Sequence, residues 1–359
     1  MSYYYSKYSR RKPGKSKWRK LIQTILLLLI LAAAGVGYLL YTVIFSPNVW
    51  VRKGQTSVFI PSGATYEMVL DSLYNQGIII HRNDFEWLAQ HKSYPELIKP
   101  GHYLIQDGLN NNELINLLRA GLQSPVDVTF NNVRTIEQLA GRISKQIETD
   151  SLSLIQLLQD SVYISQLGFT AQTIPALFIP NTYEFYWNTD ANAFVSRMLQ
   201  EYRKFWNEIR LAKAAEIGLS PSEVSTLASI VDKETNKQDE KATIAGVYIN
   251  RLKAGWRLQA DPTLVFAAGN FEIKRVLDVH KLIESPYNTY KYGGLPPGPI
   301  TIPAPTTIDA VLNYENHQYY FFCAKDDLSG YHAFSVTNRE HDLNAYRYRR
   351  ALDNLNIKK

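Results

Sequence analysis

The chain has a single cysteine, Cys323, among 359 residues. No internal disulfide framework is therefore possible, and an exported domain of this sequence must rely on its apolar cores. Metal-binding spacing is missing too. There are seven histidines, but no His-Glu-x-x-His and no cysteine pair, so no metal is expected. Neither Gly-x-Ser-x-Gly nor Gly-x-x-x-x-Gly-Lys-Ser/Thr occurs, which removes the common serine-hydrolase and nucleotide-loop chemistries, and no cofactor is expected. Gly293-Gly-Leu-Pro-Pro-Gly298 is too rich in proline for a phosphate cradle and reads as a rigid loop wall. Internal repeats are absent.

Acidic residues are absent from the first twenty positions, which hold eight basic ones: Lys7, Arg10, Arg11, Lys12, Lys15, Lys17, Arg19 and Lys20. Without that tail the balance is 31 basic against 33 acidic residues. The pI near 9.0 thus describes a terminus, and no nucleic-acid partner is expected. Ile25 to Phe45 then runs 21 residues without a charge, long enough as a helix to cross a bilayer core of about 30 Å. Trp18, Tyr38, Tyr41 and Trp50 suit the two interfaces, and the basic side should stay cytoplasmic. Ala32-Ala-Ala34 resembles a signal-peptidase site. The apolar run continues eleven residues past it, which favours an anchor over cleavage.

Beyond the anchor, Val58-Phe-Ile60 reads as a strand, Tyr66, Met68, Val69, Leu70 and Leu73 as a helix, Phe85–Leu88 as part of a second helix, and Gly101-His-Tyr-Leu-Ile105 as a second strand. That β-α-α-β order resembles a LysM-like glycan-binding module, although a structural spacer would have the same pattern. Asn110 and Glu113 form a capping box for a further helix ending at Gly121, and Thr135 and Gln138 form another. From there to about residue 215 the pattern is helical, interrupted at Ile179–Phe185. Tyr319–Ala324 reads as a buried strand, with Cys323 as a small hydrophobe in it.

The most informative stretch is residues 227–235. Ser220 caps, Pro221 takes the first helical position, and Glu223 completes a capping box. Val224, Leu227, Ala228 and Val231 form one apolar stripe. Glu234 falls beside Leu227 and Ile230, whereas Lys233 points away and Asp232 sits on the far flank. A carboxyl against apolar neighbours keeps its proton longer, as a general acid must. A solvated or ion-paired glutamate would fit the same position.

The text that follows narrows the choice. Residues 227–235, 244–263, Ser285-Pro-Tyr-Asn-Thr-Tyr290 and Gly294-Leu-Pro-Pro-Gly-Pro-Ile300 resemble, in order and spacing, the signature blocks of the YceG-like (MltG) family, the membrane-bound endolytic murein transglycosylases. The resemblance runs from Leu227 to His341, and Ile60-Pro-Ser-Gly63 and Pro100-Gly-His-Tyr103 match further blocks. It implies that the second acidic position of the helix, Glu234, carries catalysis, and Asp232 does not. Where the family has Pro-Asp-Thr-Tyr this chain has Pro180-Asn-Thr-Tyr183, so Asn181 replaces an acid and leaves that acid's part in activity in doubt.

The implied architecture is an α+β ectodomain on a single-pass anchor: a basic cytoplasmic tail at 1–20, a transmembrane helix at 21–46, a LysM-like module at 52–122, and a mixed α/β YceG-like catalytic region at 123–359 with core motifs at 220–341. Asn250, Gln259, Asp261, Tyr287, Asn288 and Tyr290 are expected to line a sugar cleft; His332 and His341 are weaker candidates. The implied reaction is cleavage of the bond between N-acetylmuramic acid and N-acetylglucosamine with closure of a 1,6-anhydro ring. The expected partners are peptidoglycan strands, the lipid bilayer and peptidoglycan synthases. Two alternatives stay open: a hydrolytic muramidase, with Asp261 as second carboxylate, and a non-catalytic glycan-binding scaffold.

Overall fold

The computed structural model describes residues 15–273 and 275–354. Lys7, Arg10, Arg11 and Lys12 of the basic tail lie outside them. The chain divides after Ser124 into two compact units.

The first unit begins with α1 (Lys15–Phe45), the one described helix long and apolar enough to cross a membrane. It starts earlier than the uncharged run because Lys17, Arg19 and Lys20 are good helix formers. Then follow β1 (Gln55–Ile60), α2 (Tyr66–Asn75), α3 (Arg82–His91), β2 (Gly101–Gln106) and α4 (Asn111–Ala120). β1 and β2 pair antiparallel, with Val58 opposite Tyr103, and both side chains are fully buried with Leu73, Phe85 and Leu114. Asn110 and Glu113 close the capping box on α4, and Gly121 ends that helix in the left-handed region at φ 69°, which an L side chain would strain. Buried Asn48 and Asn111 bond to each other at 2.7 Å. Asn111 also donates to the Val43 carbonyl at 2.8 Å, occupying an end carbonyl of α1.

The second unit is mostly helical. β3 (Val126–Phe130), α5 (Ile136–Ile143), α6 (Ser151–Gln159), α7 (Ser161–Gln166), β4 (Asn181–Phe185) and α8 (Ala191–Phe205) enclose one core around Phe130, Phe178 and Phe194. β3 and β4 form an antiparallel pair, so the interruption in the helical pattern is a strand. Only half of the second capping box forms. Thr135 accepts from the Gln138 amide, but the Gln138 side chain accepts from the Arg134 amide, one residue further back.

A second core lies around α9 (Glu208–Glu216), α10 (Pro221–Glu234), α11 (Lys241–Lys253), α12 (Asp261–Ala267) and α13 (Pro305–Leu312). α10 has the capping box of Ser220 and Glu223, and its buried stripe packs against α11 and α13. Gly246 lets α11 approach the chain: a Cβ there would lie 2.4 Å from the Glu315 carbonyl oxygen. The chain ends in a hairpin, β5 (Phe321–Ala324) and β6 (His332–Ser335), against which α14 (Asn338–Asn354) packs. β5 is half-buried along its length, not the buried strand expected, because a two-stranded hairpin covered by one amphipathic helix leaves a face open. The Cys323 thiol is still pushed up by burial. The whole is a mixed α/β fold with three two-stranded sheets among the described residues.

Candidate functional site

α10 ends at Glu234. Its last turn carries three charged side chains with different surroundings. Asp232 faces α13 and α11, where it accepts from the Lys241 ammonium and the Thr307 hydroxyl, both at 2.7 Å. Lys233 points elsewhere and donates to the Asn132 side chain at 3.1 Å. Glu234 accepts from the Tyr248 hydroxyl at 2.5 Å.

Tyr248 comes from the middle of α11, is 1% exposed, and stacks edge-on against Phe322 at 5.8 Å. Arg251 lies three residues on, hence on the same helix face. It donates to the carbonyls of Tyr320 and Leu258 and lies 5.6 Å from the Phe321 ring centre. Burial holds its guanidinium below the usual arginine range, against the pull of Tyr248, Tyr290 and Glu234.

Burial pushes the Glu234 carboxyl up to about 7, opposed by the Tyr248 hydrogen bond, reinforced by the Asp261 charge and opposed again by Arg251. Tyr248 is itself held well above the ordinary phenol range by burial and by Glu234, so at neutral pH its proton stays and the hydrogen bond runs from Tyr248 to Glu234.

Two cavities meet at Glu234 and Asp261, which line both. The first, about 500 Å³, has apolar walls from Val265, Phe266, Phe271 and Ile300, with Arg134 and Lys233 among its polar residues. The second, about 330 Å³, is lined by Tyr248, Arg251, Gln259, Tyr290, Phe321 and His341 among others. The proline-rich loop buries Pro296, Gly298 and Pro299 before bringing Ile300 to the first cavity. A Cβ at Gly298 would overlap the Gln172 carbonyl at 1.9 Å, so no larger residue fits there.

Three of the six expected cleft residues therefore stand beside Glu234. Gln259 takes φ 51°, an unusual conformation for a non-glycine, between buried Leu258 and Ala260; its side chain stays exposed at the cavity wall. Asp261 opens α12 and accepts from the Tyr290 hydroxyl at 2.6 Å. Asn250, Tyr287 and Asn288 are not among the residues lining either cavity. Asn250 donates to the carbonyls of His317 and Tyr319. Asn288 is fully buried, donates to the carbonyls of Lys281 and Ile283, and accepts from the Tyr290 amide. Tyr287 packs on Phe266 at 4.6 Å. These three shape the loops that present the cavity walls. His341 reaches the second cavity and stacks on Phe321, whereas His332 pairs with Glu240 at 3.0 Å. Asn181 opens β4 as an exposed residue, its side-chain oxygen accepting from the Thr182 amide.

Sequence reasoning passed over Tyr248, although Ile244, Tyr248 and Arg251 follow at i, i+4 and i+7, a helix face with two polar tips. Arg134 and Lys233 gave no local signal.

Comparison with known proteins identifies a family. The profile of the YceG-like family matches residues 58–347. The chain is 26% identical over 356 residues to the endolytic murein transglycosylase of Streptococcus pneumoniae (strain ATCC BAA-255 / R6), covering 89% of this chain and 64% of that protein. It is also 26% identical over 312 residues to the endolytic murein transglycosylase of Bacillus subtilis (strain 168), covering 82% of this chain and 85% of that one. The chain thus spans less than two thirds of the length of the streptococcal relative. The fold is similar to that of the 2.6 Å crystal structure of a yceG-like protein from Listeria monocytogenes, with TM-score 0.55 and 23% identity over 81% of this chain and 99% of the other. With the profile matched over most of its length, the chain belongs to the YceG-like family.

Proposed function

We propose that this protein is an endolytic peptidoglycan lytic transglycosylase with Glu234 as its catalytic acid and base. The observation that carries the reading is a carboxyl pushed up to about 7 by burial, at the meeting point of two cavities. Glu234 gives its proton to the glycosidic oxygen between N-acetylmuramic acid and N-acetylglucosamine as the bond from muramyl C1 breaks. The carboxylate then takes the proton of the muramyl C6 hydroxyl, which closes on C1 as a 1,6-anhydro ring. One residue serves both steps, and no proton is gained or lost overall. The intramolecular hydroxyl outcompetes water because effective molarities reach about 10⁵ M in aligned systems, against roughly 55 M for water. Gln259, Asp261 and Tyr290 are the proposed substrate contacts, with Asn250, Tyr287 and Asn288 supporting their loops.

A second reading has one specific observation in its favour. Asp261 shares both cavities with Glu234, and its charge acts on that carboxyl. Two carboxyl groups at one cleft are what a hydrolytic muramidase uses. Mass spectrometry of strand digests separates the two: transglycosylase products carry 1,6-anhydro ends lighter by one water, and reducing muramyl ends as the main product would hand the reaction to Asp261 and water. Loss of both products in Glu234→Gln is expected under either.

The rest of the organisation follows from this reading. α1 is the proposed membrane anchor, with the basic tail cytoplasmic and the catalytic region on the outer side; a reporter fused after Lys359 should be active only there. The β-α-α-β unit at 52–122 is proposed as a LysM-like glycan-holding module feeding a catalytic region at 123–359. Peptidoglycan synthases are proposed partners, because an anchored enzyme cutting within strands works where strands emerge.

A further inference from the structure

The two cavities differ in a way that the cleavage chemistry does not require. The second has hydrogen-bonding and aromatic groups suited to a neutral sugar. In the first, Arg275, Glu234 and Asp261 share the lining with Arg134 and Lys233, which stand over an apolar floor. Neither has a carboxylate within ion-pair distance among the described residues. The Arg134 guanidinium is 4.8 Å from the Phe271 ring centre, which fixes its plane. The Lys233 ammonium has the Asn132 amide oxygen as its side-chain partner. Of the two acids that flank Lys233 in sequence, Asp232 is turned away into its pair with Lys241, and Glu234 lines the same cavity without forming an ion pair with it. Burial lowers the Lys233 ammonium from its ordinary range, opposed by the Asp232 charge and reinforced by Arg134 and Lys241. Two cations held together in a half-buried hollow, neither in an ion pair, disfavour each other, and an arriving anion relieves both.

Resting on the reading of Glu234 as the acid that cuts between muramyl and glucosaminyl units, we propose that the first cavity is a subsite for a free carboxylate of the peptide borne by the muramyl lactyl group. The sugar chain itself is neutral, so the peptide is the anionic part of a strand next to the scissile bond. The apolar floor takes the aliphatic side chains, and Arg134 and Lys233 take the carboxylate. The subsite would then make peptide-bearing strands the preferred substrate.

The test uses the full chain in detergent carrying Glu234→Gln, so that binding is read without turnover. The probes are uncrosslinked strands freed of other wall polymers, untreated or with their free peptide carboxylates converted to methylamides. Untreated strands should bind about tenfold tighter than methylamidated ones, the size of one charge-assisted contact. Adding Arg134→Gln and Lys233→Met should bring that ratio close to one, and Arg134→Lys with Lys233→Arg should restore most of it, which a merely structural role would not do. Equal binding of both strands, or a preference that survives the double neutral variant, overturns the subsite. Binding to neither strand overturns it together with the proposed function. Wild-type cleavage of both strands with the same kcat/KM overturns the subsite alone.

Discussion

Replacing Tyr248 with phenylalanine removes one oxygen from the site and leaves the packing in place, since the ring is buried and held edge-on by Phe322. The lost hydroxyl donates to Glu234 and favours its charged form. Without it, burial and the Asp261 charge act with less opposition. A hydrogen bond to a charged group is worth about 1.5–3 kcal/mol, equivalent to roughly one to two pKa units. Water entering from the cavities offsets part of this, so a rise of about one unit from near 7 is expected. The general acid must be protonated to work, so wild-type kcat/KM should fall as pH rises through about 7. In Tyr248→Phe that descending limb should move to higher pH by about one unit, even if the maximum rate is lower. The assay is the pH profile of kcat/KM on uncrosslinked strands, with the detergent-solubilised full chain. A limb that stays in place, or moves to lower pH, would refute the assignment of this hydrogen bond as the brake on the pKa of Glu234.

Glu234→Gln should reduce turnover by about 10²- to 10⁴-fold and stabilise the fold at alkaline pH. The folded carboxyl titrates near 7, above its ordinary 4.5. Its contribution is thus full below the unfolded pKa and lost as pH rises through about 7, up to about 3 kcal/mol in total. The gap in melting temperature between variant and wild type should therefore open between pH 5 and 8, and a gap independent of pH would contradict the burial argument. Asp232→Asn leaves Lys241, whose side chain is 8% exposed, without its carboxylate, and should cost about 2–4 kcal/mol; thermal melting should drop while turnover per folded molecule falls far less than in Glu234→Gln. Gly246→Ala, which in an open helix would stabilise, should destabilise by about 1–3 kcal/mol because the new methyl meets the Glu315 carbonyl; an unchanged melting temperature would show that this contact yields.

Local signals in the sequence were read well where one segment contained both halves of the information. The Ser220–Glu223 capping box and the stripe through Val231 are complete within α10, and the structure places Glu234 beside that stripe at the helix end. The Asn110 box and the Gly121 stop are likewise local. Legibility ends where a side chain's partner lies far along the chain or on the backbone. Asn250 and Asn288, polar residues among aromatics, look like cleft walls, yet they donate to carbonyls of loops that would otherwise be unpaired. Gln138 took the Arg134 amide because the chain before Thr135 turns back toward it. The helix face that carries Tyr248 is legible in its spacing, but the bond to Glu234 depends on α10 and α11 meeting there, which no spacing within either helix records.

The charges around the end of α10 leave the carboxyl at the cavities with a divided preference. Asp232 has its own cation in Lys241, and Lys233 faces the other cavity wall with Arg134. Asp261 is bonded to the Tyr290 hydroxyl. Glu234 has opposing influences, burial and a neighbouring carboxylate raising its pKa, a phenol and a guanidinium lowering it. The helix C-terminus adds a further push toward the neutral form, since its free carbonyls repel a carboxylate. A residue that must give a proton in one step and take one in the next needs an affinity near the ambient pH, neither so low that the acid is absent nor so high that the base is. Deleting any one influence should therefore tilt Glu234 toward one of its two tasks, so Arg251 and Tyr248 are as much part of the chemistry as the carboxyl they surround.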